Sequence, residues 1–218
     1  TLAVPLARAG HRVHGCDFAE AMLAILDERA AAENLPITSH LLAWEDDWEA
    51  AGFGPNTVDA AFASRSLMSG DAFSAVRKLD SAARSRAAVV VPGSSLPSRD
   101  PRILTYLGRS TRHPRIVRDV TRALAALGRV PVFATTQTFR PMRFSSFDEA
   151  RSDLRRLAGP EPFTPREERL FDAYAAQHFV REAATNASGE SDDQWILDYE
   201  LPVTWAFIGW HTDGSAWA

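Results

Sequence analysis

Strand-like and helix-like segments take turns from Thr1 to Phe139, and that alternation restricts the chain to very few architectures. The opening TLAVPLARAG places Leu2, Val4, Leu6 and Ala7 at helical spacing, with Gly10 as a stop. His11 to Cys16 reads as a short strand, and Ala19 to Asn34 as a helix with an apolar stripe of Met22, Leu23, Leu26 and Ala30. Ile37 to Trp44 and Val58 to Ala63 are further strands, separated by a short helical piece ending near Gly52. Phe73 to Ser85 reads as a helix and Ala87 to Val91 as a buried strand. His113 to Leu127 is again helical, and Val130 to Phe139 is a strand rich in β-branched and aromatic residues. The series predicts an α/β, Rossmann-like three-layer sandwich on a mostly parallel sheet.

Beyond Phe144 the pattern changes. Phe147 to Leu157 and Pro165 to Glu182 are charged and helix-forming, with prolines between them, and TNASGESDD from Thr185 is a polar loop. Residues 145–193 therefore read as a helical insertion covering the substrate. Trp195 to Trp210 returns to strand composition, with Pro202 forcing a break or an edge position. A last strand reached without a crossover helix is expected to be antiparallel, as a hairpin or a late insertion into the sheet. With 218 residues and 45% apolar content, the whole chain is expected to form a single domain.

Lys+Arg 24 against Asp+Glu 28 gives no basic field for nucleic acid or an acidic membrane. The longest apolar runs fall far short of the roughly 20 residues of a membrane-spanning helix. Small molecules are the expected ligands, the sequence specifies no oligomeric state, and the default compartment is the cytoplasm. A single cysteine, Cys16, fits a reducing environment. The six histidines and that cysteine show no H-x-x-x-H or C-x-x-C spacing, so no metal is expected, and no serine lies in G-x-S-x-G.

Ligands of open parallel sheets sit beyond the carboxyl ends of the strands. The first of those ends carries Asp17 and Phe18: a carboxylate suited to the two hydroxyls of a ribose, with Phe18 or Met22 to lie against a base. Asp17 is equally placed to cap the following helix. The next end carries Trp44 and Glu45, an indole wall and an acceptor for an exocyclic amine, or else an exposed helix start. The third carries Ser64 and Arg65, able to hold a carboxylate or to form a surface ion pair. The repetition across three neighbouring strands points to a nucleotide-like ligand.

The run TLAVPLARAGHRVHGCDFAEAMLAILDERA resembles the segment after the glycine-rich motif of class I S-adenosylmethionine-dependent methyltransferases, and LLAWEDDW with VDAAFASRSL resembles that family's next two cofactor-facing motifs. The resemblance covers Thr1 to about residue 140. It implies S-adenosylmethionine as cofactor, with Asp17 on the ribose, Phe18 and Met22 flanking the adenosine, Trp44 and Glu45 at the adenine, and Ser64 and Arg65 beside the methionine portion or the substrate. It likens the strands around Thr204 to His211 to the antiparallel hairpin that separates this fold from dehydrogenase sheets. The family's first strand and glycine turn have no counterpart. Omitting a central strand would strip its neighbours of backbone partners, so the reading expects an N-terminally truncated domain whose missing part precedes Thr1.

Methyl transfer needs alignment more than a triad. Where the acceptor must lose a proton, the base candidates are His113, His178 and His211, with His178 and His211 preferred, although each also suits a structural role. Phe163, Phe171, Tyr174 and Phe179 are candidates for an apolar acceptor pocket or for ordinary core. Two other readings stay open: a nicotinamide-dependent oxidoreductase, since Asp17 also suits a dinucleotide ribose, and a non-catalytic binding protein on the same fold.

Overall fold

The computed structural model describes residues 2–67, 71–93, 96–111, 115–183 and 194–217. Helix α1 (Ala3–Arg8) stops at Gly10, whose φ of 92° is the left-handed turn that glycine takes without strain. Strand β1 (Val13–Asp17) follows, then α2 (Glu20–Ala32) and β2 (Ile37–Leu41), which pairs parallel with β1 from Val13↔Ile37 to Asp17↔Leu41. Strand β3 (Val58–Ser64) pairs parallel with β4 (Ala83–Pro92), and α3 (Ala72–Ala82), capped by Asp71 on the Ser74 amide, runs into β4 without a loop. Helix α4 (Pro101–Tyr106) precedes α5 (Ile116–Ala126) and β5 (Val132–Arg140).

The closing strand β9 (Leu201–His211) enters the sheet last and lies between β4 and β5, antiparallel to both, giving the order β3-β4-β9-β5. The expected late insertion is observed. Pro202 pairs only with Phe139 of β5, because the ladder to β4 begins at Trp205, so the proline sits where no second neighbour needs its missing N–H. Ala87, Val89 and Val91 of β4 with Ala206, Ile208 and Trp210 of β9 face Val76 and Leu79 of α3 and Val120 and Leu124 of α5, forming the main core. This is the Rossmann-like α/β class that the sequence predicts. Among the described residues the β1–β2 pair and the sheet β3-β4-β9-β5 share no strand.

Between β5 and β9 lies a second core. Helix α6 (Phe147–Leu157) and α7 (Pro165–His178) pack with a small antiparallel sheet in the order β6-β8-β7: β6 (Arg143–Phe144), β7 (Phe179–Glu182) and β8 (Gln194–Leu197). The expectation of a purely helical insertion is thereby corrected. Phe179 is buried and Val180 exposed, the two-residue alternation of a strand, and α7 ends at His178 instead of Glu182. The helical piece expected before Gly52 is a set of turns, and α4 went unread although Asp100 caps it and Pro101 opens it. The polar loop at 185–193 and His113 lie outside the described residues. Among the described residues no helix is long and apolar enough to cross a membrane, and no group of three or more His, Cys, Asp or Glu is placed to hold a metal ion.

Candidate functional site

The carboxyl ends of β1, β2 and β3 are joined by specific hydrogen bonds. The Leu42 amide donates to the Asp17 carbonyl at 3.0 Å, and the Trp44 indole N–H donates to the Ser66 carbonyl at 3.0 Å. Asp17 does not cap α2 as its sequence position suggests: the N-cap is Ala19, with no side-chain cap bond. Asp17 Oδ1 accepts the Ala19 amide at 2.9 Å, closing the turn into α2, while Oδ2 has no partner among the described residues. Phe18 and Met22, 78% and 56% exposed, present apolar surface beside that free oxygen. An exposed ring and an exposed thioether near an unsatisfied carboxylate are a surface suited to a ligand with one flat and one hydroxylated part.

The turns after β2 are braced from α3. Lys78 Nζ donates to the carbonyls of Trp44 (2.5 Å) and Asp46 (2.7 Å), and the Trp44 and Trp48 rings stack at 5.0 Å between centroids. Trp44 is thus committed to stacking and to Ser66, and holds the ends of β2 and β3 together. Glu45 lines a cleft of about 430 Å³ with Asp47, Glu49, Arg77 and Lys78, and its carboxylate has no partner among the described residues.

Ser64 closes β3 opposite Val90. Arg65, immediately after it, has a φ of 58°, a conformation that costs a non-glycine residue on the order of 1 kcal/mol, and its amide donates to the Val90 carbonyl at 2.9 Å. The ion pair weighed for Arg65 is not formed with any described residue; the guanidinium lies 5.4 Å from the Trp205 ring centroid. Trp205, which sequence reasoning did not single out, is held by its indole N–H on Thr138 Oγ1 at 3.1 Å.

Because β9 runs antiparallel, its first residues lie at the carboxyl end of β4, where the Gly93 amide donates to the Thr204 carbonyl at 2.8 Å. The turn before β9 carries Asp198 and Tyr199. His178 Nδ1 lies 3.0 Å from Asp198 Oδ1, and the Asp198 amide donates to the His178 carbonyl at 2.9 Å. Next to this dyad runs a chain of hydroxyls. Tyr199 Oη donates to Asp100 Oδ2 at 2.5 Å, leaving Tyr199 to accept from Tyr174 Oη at 2.7 Å. Asp100 is fully buried, and its other oxygen accepts the Arg102 amide at 2.9 Å. Burial first, and then its hydrogen bond to the Asp100 carboxylate, push the Tyr199 hydroxyl far above the ordinary tyrosine range, and burial raises Tyr174 to about 12.

His211 is not brought to this end. It pairs with Arg86 at the amino end of β4, its Nε2 is buried without a partner, and its ring abuts Trp217. The two histidines preferred from sequence therefore lie at opposite ends of β9, because a β9 of eleven residues carries its last residue across the whole sheet. Phe171, Tyr174 and Phe179 are buried in the second core, with Phe163 packed against it under Arg109 and Arg155. They fill the core, and of the four only the Tyr174 hydroxyl reaches the polar chain.

No family model matches the chain, and no curated protein matches it. Solved structures do. A protein from the conversion of a disulfide bond into a thioacetal group during echinomycin biosynthesis aligns over 98% of this chain and 71% of its own length at 13% identity and a TM-score of 0.51. The geranyl diphosphate C-methyltransferase of Streptomyces coelicolor aligns over 96% of this chain and 68% of its own, at 16% identity and TM-score 0.48. The [4+2]-cyclase SpnF aligns over 96% and 70% at 14% identity and TM-score 0.48. The likeness is one of fold alone.

Proposed function

We propose that the protein is an S-adenosylmethionine-dependent methyltransferase acting on a small-molecule acceptor. The observation that carries this reading is the surface at the end of β1, where Asp17 Oδ2 has no partner among the described residues and Phe18 and Met22 are exposed, next to the ends of β2 and β3 that Trp44 ties together. The nucleoside half of the cofactor fits these residues. Asp17 accepts the ribose hydroxyls, Phe18 and Met22 cover the base, and Glu45 accepts its exocyclic amine. Trp44 supports the adenine side by fixing the backbone that carries Glu45. Arg65, with Ser64 beside it, offers a guanidinium to a carboxylate, on the cofactor or on the acceptor.

When bound, the cofactor supplies an electrophilic methyl group on a sulfonium centre. The protein's own contribution is alignment and exclusion of water, for which the second core of α6, α7 and the β6-β8-β7 sheet serves as a cover. His178 serves an acceptor that must lose a proton: with Nδ1–H donated to Asp198, Nε2 keeps its lone pair for that proton. The reversed β9 between β4 and β5 favours this reading over a nicotinamide-dependent dehydrogenase.

Calorimetric titration with S-adenosylmethionine, S-adenosylhomocysteine and NAD tests the proposal. Both sulfur nucleotides are expected to bind and NAD is not. Asp17→Ala weakens them roughly ten- to a hundredfold, the 1.5–3 kcal/mol of hydrogen bonds to a charged group. Absence of binding by either sulfur nucleotide overturns the reading.

A further inference from the structure

Strand β5 ends the four-stranded sheet, and no described strand pairs with its outer edge. From Phe133 to Arg140 every residue is exposed, with Phe133 at 50% and Phe139 at 57%, so both faces and one edge of a nine-residue strand are open. Soluble proteins guard such edges with lysine, proline, a bulge or a covering helix. Here the ladder to β9 runs without a register shift, and Val132 to Phe139 contains no proline and no charge. The strand also carries the same aromatic residue at two places symmetric about its centre. In FATTQTF, Phe133 and Phe139 stand equidistant from Thr136, Thr135 mirrors Gln137, and Ala134 mirrors Thr138.

We infer that β5 is an interface for a second copy of this chain, pairing antiparallel with itself about a two-fold axis at Thr136. An isologous contact must be self-complementary, and pairing about Thr136 sets the two exposed phenylalanines against each other with no charge opposing another. That register places Phe133 opposite Phe139 of the second copy and repeats the aromatic pair by symmetry. Both pairs fall on one face, because the two positions are an even number of residues apart. The polar centre meets itself, Thr136 against Thr136 and Thr135 against Gln137. Each Arg140 falls opposite Val132 of the other copy, which leaves the two guanidinium groups at opposite ends of the ladder, about 27 Å apart along the strand. No like charges meet. The assembly joins two four-stranded sheets into one of eight and leaves the carboxyl-end site of each copy independent.

Sedimentation or light scattering at about 100 µM chain, with reductant to keep Cys16 from linking copies, reads the interface as mass. The wild type is expected at twice the 24.0 kDa of one chain, falling to one on dilution. Phe133→Lys with Phe139→Lys opposes like charges and gives a monomer with an unchanged circular-dichroism spectrum, since both side chains are half exposed. Phe133→Glu with Phe139→Lys brings opposite charges together only in the register about Thr136, and restores the dimer. A wild type monomeric at that concentration, a dimer that survives the double lysine variant, or failure of the charge pair to restore it each overturns the inference.

Discussion

The two cores of the molecule reach the same degree of burial by different means. The sheet core is built from small and β-branched residues, among them Ala63, Ala75, Ala87, Val76, Val89 and Val91, closed by Ile208 and Trp210. Its interior polar groups are mostly backbone atoms already spent on the ladders. The second core is aromatic, with Phe171, Tyr174 and Phe179, and is laced with ion pairs and a buried carboxylate: Arg109 on Glu167, Arg155 on Glu168, and Asp100 under Tyr199. Apolar packing is non-directional and tolerates shifts, whereas a hydrogen-bonded chain fixes where its ends point. The first arrangement suits a scaffold. The second holds the turn that carries Asp198 and so aims His178.

The largest expected effect lies in the scaffold. Ile208 is fully buried between Val89 and Phe133, and Ile208→Ala should lower stability by about 3 kcal/mol through lost transfer energy and the cavity left behind. Urea unfolding reads this as a lower midpoint at unchanged slope. A loss under 1 kcal/mol would mean that the sheet core carries far less of the stability than its packing implies. The second core breaks at a polar group instead. Asp100→Asn keeps volume, but its N–H₂ either opposes the Arg102 amide, donor against donor, or donates to Tyr199 Oη and forces the hydroxyl chain to reverse, and should cost roughly 2 kcal/mol. If Asp100→Asn unfolds like the wild type, the carboxylate is not what ties α4 to the turn before β9.

The same contrast decides what could be read in advance. The scaffold is legible because its period is simple, as in β3, α3 and β4, and in the second core α6, which begins where Ser146 and Glu149 say a cap should be, is as plain. Strands of two to four residues, such as β6, β7 and β8, are too short to show a period. At the candidate site, Asp17 is readable as the end of a strand. The conformation of Arg65 is not, since arginine carries no preference for positive φ. The partner of His178 is twenty residues away at Asp198, and that of Tyr199 ninety-nine away at Asp100, separations that only the folded chain closes. Asp100 itself could have been found, because Asp before Pro is a readable helix start.

The smallest expected effect sharpens the comparison through pH. Arg109 Nε donates to Glu167 Oε1 at 2.7 Å, and the Thr164 amide and hydroxyl each donate to Glu167 Oε2 at 2.8 Å. These donors, the guanidinium first, hold the Glu167 carboxyl down at about 2, against 4.5 for a free glutamate. A carboxylate depressed in the folded state stabilises it fully above the unfolded value, so the contribution should be intact near neutrality. It should fade as pH falls from about 4.5 toward 2, where the folded chain is protonated as well. Glu167→Gln removes the ionisation while keeping an acceptor for Thr164. The gap in stability between wild type and variant, taken from urea midpoints at pH 6, 4 and 3, should therefore narrow with acid, while the gap for Ile208→Ala holds constant. A Glu167→Gln gap that does not change between pH 6 and 3 would mean that this ion pair contributes through packing alone, and that the second core is fastened as the first is.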